Sequence, residues 1–332
     1  MKNNLKKLQK FINAHNRFFV IGHENPDGDC VGSQVALAGL LRKLGKQVFL
    51  LSSGPFSDIV AQLYSSLFYS AYSQIPDMPS PDALENSALL CVDTSSYARL
   101  GDVAKPLEGL PSGIIDHHVS ASNFGLVQYI DSTVPANTIL IYRLFEAYGI
   151  IPTREDAHFI LLGILTDTQF FRFVKAEDTE PFQVASKMVE LGVSPGEIYQ
   201  QIGYGYTFLS RKIIAKILGR ASRVNNNRVI LTYMQQSDYL YKDDIPQSYE
   251  IYQLLQGTQK TEVVVYIQEN VDVENKPMCK IGLRSHAKVD VSKIAEEFNG
   301  GGHKRASGFA VHKSLSETWD MLRDYFDALV LE

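Results

Sequence analysis

Cysteine is scarce, with three in 332 residues. Cys30, Cys91 and Cys279 are odd in number, far apart and free of any CxxC pair. That excludes a disulfide framework and a zinc ribbon, and leaves buried free thiols. Long apolar runs are missing as well: none approaches the roughly 18 residues a membrane-spanning helix needs. A basic excess is absent, the formal net charge being −5. Long-duplex binding ordinarily rests on such an excess, so any nucleic-acid contact is expected to be local and the substrate short. Internal repeats and low-complexity tracts are also lacking. The basic N-terminus has no continuous apolar stretch of the signal-peptide kind. Leu5, Leu8, Phe11 and Ile12 fall instead at helical spacing, which reads as the amphipathic first helix of a cytoplasmic protein.

What is present is an alternation of strand and helix signals. Short apolar runs at Phe18 to Gly22, Val48 to Leu51, Ala88 to Val92, Gly113 to Ile115 and Leu126 to Ile130 suit buried parallel strands. Cys30 to Leu44 carries helical periodicity and stops at Gly45. From Ala136 to about Tyr206 the pattern is mainly helical. Phe208 to Leu218 reads as a connecting helix. Beyond it lie a hairpin around Asn225 to Asn227, a strand pair at Val263 to Gln268 and Met278 to Arg284, a helix at Val291 to Phe298, and a strand at Phe309 to Val311. The expectation is an α/β protein. It has an N-terminal, mostly parallel-sheet domain with a helical extension (1–205), a linker helix (206–222) and a smaller C-terminal α/β domain (223–332).

Acids and histidines gather where these strands end. His23, Asp27 and Asp29 follow the first strand and open a helix, with Pro26 and Gly28 allowing the sharp turn between. Oxygen and imidazole donors at i, i+4 and i+6 suit hard or borderline divalent cations. A polar turn with Asp29 as helix cap would use the same residues. Asp93 directly follows another strand, and Asp116, His117 and His118 follow a third. Asp167 ends an apolar helical stretch, where a carboxylate opposes the helix dipole and a cation would offset it. Each segment alone is weak. Together they deliver ligands from separate strand ends to one edge of a sheet, where open α/β folds bind their ligands.

These segments resemble the motifs of the DHH phosphoesterase family: HENPDGDCVGS at 23–33, VDTS at 92–95, IDHH at 115–118 and GILTDT at 163–168. The glycine-rich run from Gly300 to Gly308 is similar to the signature of the DHH-associated domain. In size the chain resembles the branch that degrades short oligoribonucleotides and dephosphorylates 3′,5′-bisphosphonucleosides such as pAp. The resemblance implies two divalent cations, Mn²⁺ by preference with Mg²⁺ or Co²⁺ as alternatives. His23, Asp27 and Asp93 would hold one; Asp29, Asp93, His117 and Asp167 would hold the other. It further implies that Asp116 orients a histidine and that His118 faces the substrate phosphate. Two departures stand out: Cys30 where alanine is common and Gln169 where glycine is common, neither expected to touch a ligand.

In the second domain Gly301, Gly302, His303 and Arg305 are candidates for an anion cradle, with Arg284 as a bidentate phosphate contact. Arg172, just past Asp167, is a further phosphate-binding candidate. The expected partners are short single-stranded RNA or nucleotides, without a membrane or a long duplex, a homodimer being left open. A manganese-dependent pyrophosphatase or exopolyphosphatase, a cyclic-dinucleotide phosphodiesterase and a non-catalytic nucleotide binder are the competing readings.

Overall fold

The computed structural model describes residues 2–56, 59–76, 84–118, 124–203, 207–238, 246, 248–286 and 288–331. Two compact units divide the chain, Met1–Gly205 and Tyr206–Glu332. Residue 206, where the linker helix was expected to begin, lies outside the described residues.

The first unit is built on five strands: β1 (Arg17–Ile21), β2 (Gln47–Leu51), β3 (Ser87–Val92), β4 (Ser112–Asp116) and β5 (Val127–Ile130). They pair in the order β2-β1-β3-β4-β5, all parallel. Parallel strands need helical crossovers and are covered on both faces. Alternate residues of β1 divide accordingly. Phe18 and Val20 enter the core shared with the long helices, while Phe19 and Ile21 enter a second core with Leu100, Val103 and Leu107. The helices are α1 (Lys2–Ala14), α2 (Gly28–Lys43), α3 (Ile59–Leu63), α4 (Asn137–Tyr148), α5 (Arg154–Asp167), α6 (Glu180–Glu190) and α7 (Pro195–Gly203). Chain order reverses between β1 and β3, so the crevice at their C-terminal ends is the switch point of the sheet.

The second unit opens with α8 (Phe208–Gly219), followed by β6 (Ser222–Val224), β7 (Val229–Met234), α9 (Ser248–Gln256), β8 (Val263–Val271), β9 (Pro277–Ser285), α10 (Val291–Glu297), β10 (Gly301–His303), β11 (Ala306–Val311) and α11 (Leu315–Ala328). Its six strands run β10-β11-β9-β8-β7-β6, with β7 and β8 parallel and the other pairs antiparallel. The expected hairpin is β6–β7, turned by Asn225, Asn226 and Asn227, all at positive φ. Sequence reasoning missed α9 and α11. Of the anion-cradle candidates, Gly301–His303 form an edge strand paired with β11. No helix among the described residues is long and apolar enough to cross a membrane.

Candidate metal centre

The loop after β1 turns into α2 through Asp27, whose Oδ1 accepts from the backbone N–H of Asp29 (3.1 Å) and Cys30 (3.0 Å). The cap of α2 is therefore Asp27 and not Asp29. Asp29 is left to face inward, and its carboxylate accepts from the backbone N–H of Asn137 (2.5 Å) and Thr138 (3.0 Å) at the start of α4. Ala136, the residue at the α4 cap position, has no capping side chain. Asp29 thus satisfies that helix end from across the fold, with the dipole favouring its negative charge.

Asp93 stands one residue past β3 in the left-handed region, φ 57°. Aspartate tolerates that conformation better than most residues, and such positions concentrate at functional sites. Its Oδ2 lies 3.4 Å from His23 Nε2 and its Oδ1 3.3 Å from His117 Nε2, so one carboxylate faces two histidines through different oxygens. Both rings are fixed from behind: His23 Nδ1 lies 2.9 Å from the carbonyl of Glu24, and His117 Nδ1 3.2 Å from that of Val134. That leaves each Nε2 for the centre. His117 Nε2 also lies 3.4 Å from Asp167 Oδ2 and 3.8 Å from Asp29 Oδ2. Asp167 is the last residue of α5. The turn beyond it is held by Thr168 Oγ1, which accepts from the Phe171 N–H (3.0 Å). Gln169 adopts φ 46° as the first of three consecutive left-handed residues, which accounts for glycine being common at such a position.

Among the described residues three groups with metal-ligand spacing result: His23–Cys30–Asp93, Asp29–His117–Asp167 and Asp93–His117–His118, each with ligand atoms within 4.8 Å of one another. Asp27 joins none of these groups; its Oδ2 is 4.0 Å from His23 Nε2 while Oδ1 caps the helix. Cys30 corrects an expectation, because its thiol does contact a proposed ligand, His23. The sequence showed only that Cys30 adjoins Asp29; the first turn of α2 directs its sulfur back toward β1. His118 is separated from the ligands by its partner and not by spacing. Its Nδ1 and backbone N–H meet Asp116 Oδ1 at 2.8 and 3.2 Å, and its side chain is 41% exposed, whereas Asp116 is fully buried.

Without a cation the cluster must hold protons. Burial, then the Asp93 charge, push Asp29 up to about 7. Burial and the Asp29 charge push Asp167 up to about 9. For His117 burial opposes the charge, but hydrogen bonding to Asp93 and the charges of Asp29, Asp93 and Asp167 outweigh it, raising it to about 10. His23 is carried to about 12 against burial by Cys30 and Asp93. Burial also works against the Asp93 carboxylate, yet the hydrogen bonds from His117 and His23 hold it well below the usual carboxylate range. Asp93 Oδ1 is buried, and beyond the His117 ring nitrogen at 3.3 Å it has no hydrogen-bond partner among the described residues. A buried carboxylate oxygen with lone pairs to spare inside a mixed oxygen–imidazole set fits a pair of divalent cations.

The remaining expected residues lie elsewhere. Arg172 follows the turn after Asp167, with its guanidinium 5.8 Å from the Phe173 ring. Arg284, on β9, donates to the carbonyl of Leu283 (2.9 Å) and lies 4.5 Å over the ring of Tyr252. Gly301, Gly302 and His303 form β10, and they and Arg305 are exposed.

Residues 17–164 match the N-terminal domain of the DHH family, and residues 226–331 match the DHHA1 domain. The bifunctional oligoribonuclease and PAP phosphatase NrnA of Thermus thermophilus is 25% identical over 291 residues, 87% of this chain and 82% of that protein. A probable manganese-dependent inorganic pyrophosphatase of Streptococcus suis is 28% identical over 180 residues, covering 53% of this chain and 55% of that protein. An exopolyphosphatase-related protein of Bacteroides fragilis shares the fold, with a TM-score of 0.84 and 21% identity, over 98% of this chain and 97% of its own.

Proposed function

The chain belongs to the DHH family and is a metal-dependent phosphoesterase, and we propose that it hydrolyses short oligoribonucleotides to mononucleotides and dephosphorylates 3′,5′-bisphosphonucleosides such as pAp. The observation that carries the catalytic half of this reading is Asp93, whose two oxygens each face a different histidine. We assign catalysis to residues 1–205, a linking role to 206–222 and substrate binding to 223–332. His23, Asp27 and Asp93 would hold one cation; Asp29, Asp93, His117 and Asp167 would hold the other, Mn²⁺ being the ion proposed. When bound, the pair supplies Lewis acidity toward the phosphoryl group and acidifies water.

The chain's own groups do the rest. Asp116 fixes His118 through Nδ1, so a proton carried on Nε2 can pass to the leaving oxygen. Asp29, fixed by two backbone N–H groups, keeps its place in the cluster without reorganisation. In the second unit the exposed His303 and Arg305, beside the glycines of β10, are proposed to bind a phosphate away from the scissile bond, with Arg284 as a further contact; in the first unit Arg172 is proposed as a phosphate contact of its own. Binding energy from such a remote group can be used to orient the reacting one.

A manganese-dependent pyrophosphatase is the second reading. Likeness to that enzyme spans 53% of the chain, whereas likeness to the oligoribonuclease spans 87%, which supports the nucleotide reading. We envisage a cytoplasmic enzyme acting on short single-stranded substrates. The test compares kcat/KM for a 5′-phosphorylated diribonucleotide, pAp and inorganic pyrophosphate with Mn²⁺. A clear preference for pyrophosphate overturns the nucleotide assignment and leaves the phosphoesterase intact.

A further inference from the structure

Cys30 is fully buried at the first turn of α2. Its sulfur occupies the space left by the missing side chain of Gly22: an added Cβ there would sit 2.1 Å from Sγ. Gly22 immediately precedes His23, so this packing holds the thiol beside the imidazole. Cys30 Sγ, a His23 ring nitrogen and an Asp93 oxygen lie within 4.8 Å of one another, and all three residues are buried. The sulfur's other neighbour is Gln34 Oε1 at 3.7 Å, a weak contact that uses the thiol proton and leaves the sulfur lone pairs. Gln34 is itself pinned, its amide donating to the carbonyls of Val20 (3.1 Å) and Leu51 (2.9 Å). Asp93 is 2% exposed, and the oxygen it turns toward this cluster, Oδ2, lies 3.4 Å from His23 Nε2.

We propose that Cys30 Sγ is a ligand of the cation held by His23 and Asp93, so that the two cation positions differ in kind. The inference rests on the two-cation reading above. One position is then a nitrogen–oxygen–sulfur site that favours borderline and soft divalent ions such as Co²⁺, Zn²⁺ and Cd²⁺. The other, made of Asp29, Asp93, His117 and Asp167, is all oxygen and imidazole and suits Mn²⁺ or Mg²⁺. Ligation forms one sulfur–metal bond and releases the thiol proton to solvent.

The test titrates the full chain with Co²⁺ under reducing conditions. Bound metal is counted by equilibrium dialysis while the near-ultraviolet thiolate-to-cobalt charge-transfer band is recorded. Two bound Co²⁺ with the band present is the expected result. The band is lost in Cys30→Ser and kept in Cys91→Ala. In Cys30→Ser the preference for Cd²⁺ over Mn²⁺ falls by about tenfold, the lower end of what losing a group around a metal costs. Two bound Co²⁺ without the band, or a band that survives in Cys30→Ser, overturns the thiol ligand and leaves the two-cation reading standing. Fewer than two bound Co²⁺ overturns that reading and this inference with it. Should Cys30→Ser not fold, the double variant Cys91→Ala, Cys279→Ala leaves Cys30 as the sole thiol. The band in that protein supports the proposal, and its absence at full Co²⁺ loading refutes it.

Discussion

Asp93→Asn is the perturbation that bears most directly on the centre. The change is nearly isosteric and removes one charge from a side chain that is 2% exposed. Its two oxygens lie 3.4 and 3.3 Å from the ring nitrogens of His23 and His117, so both proposed cation positions lose a ligand at once. Preorganised charge of this kind contributes several kcal/mol to a phosphoryl transition state. A loss of about 4 kcal/mol, at roughly 1.4 kcal/mol per factor of ten, lowers kcat about a thousandfold. The metal-free fold is expected to survive. Losing the carboxylate weakens the hold on His23 and His117, but it also relieves repulsion on Asp29 and Asp167, whose protonation Asp93 promotes. A net change of about 1 kcal/mol corresponds to roughly 2–4 °C in melting temperature for a unit of this size. The assay is single-substrate turnover at saturating Mn²⁺, with bound metal counted and melting followed in chelator. Near-wild-type turnover with full metal loading would refute the bridging role. A collapse of the chelated melting temperature would show that Asp93 serves the fold first.

His117→Ala is expected to lose bound metal. His118→Ala keeps its metal and loses turnover by about 10²–10⁴-fold, the usual worth of a positioned acid or base; equal metal loss in the two purified variants removes the distinction between them. In chelator the protein is expected to melt at a lower temperature as pH rises from about 6 to 9. Asp29 and Asp167, raised to about 7 and about 9 from 3.8, bind more protons folded than unfolded, so their contribution is present below pH 4 and is lost as pH climbs through 7 and 9. The lift from added Mn²⁺ grows over the same interval, and a pH-independent melting temperature in chelator contradicts the charge reading. Arg305→Ala is expected to lower kcat/KM for pAp and a diribonucleotide by about tenfold or more, the worth of a charge-assisted contact, and to spare bis-p-nitrophenyl phosphate. Equal losses on all three substrates remove Arg305 from phosphate binding.

The central strands of the first unit were legible because they are short, apolar and buried on both faces, as in Ala88, Leu90 and Val92 against one core and Leu89 and Cys91 against the other. The acids were legible because they lie at the end of a strand, in the loop and first helical turn after one, or at the end of a helix. What escaped needed contacts distant in sequence. Asp29 capping α4 joins residues more than a hundred positions apart, and nothing in Ala136-Asn137-Thr138 announces a borrowed cap. Cys30 reaches His23 only once α2 packs on β1. The strand β10 begins with two glycines of low strand propensity and exists because β11 offers it an edge. The helix α11 is a different matter. Its capping box, Ser314 with Glu317, and the spacing of Trp319, Leu322 and Phe326 were in the sequence all along.

The same packing explains how like charges are made to converge. Asp29, Asp93 and Asp167 come from three elements and repel one another, so something stronger must bring them together. Leu37 and Leu40 of α2 and Ile160, Leu161 and Ile164 of α5 are fully buried in one core, each contributing about 1.5–3 kcal/mol when removed from water. The contact closes because α5 carries glycine at 163, where an added Cβ would lie 2.4 Å from Asp29 Oδ1 and 2.5 Å from Thr138 Oγ1. A larger residue there would push Asp29 away from the N-terminus of α4 and out of the cluster. The hydrophobic core therefore holds the carboxylates at a separation they would not choose, and cations that bind only the folded form return stability to it by mass action. Core and centre are one device: the leucines and isoleucines set the distance between the acids, and that distance makes the site a sink for divalent charge.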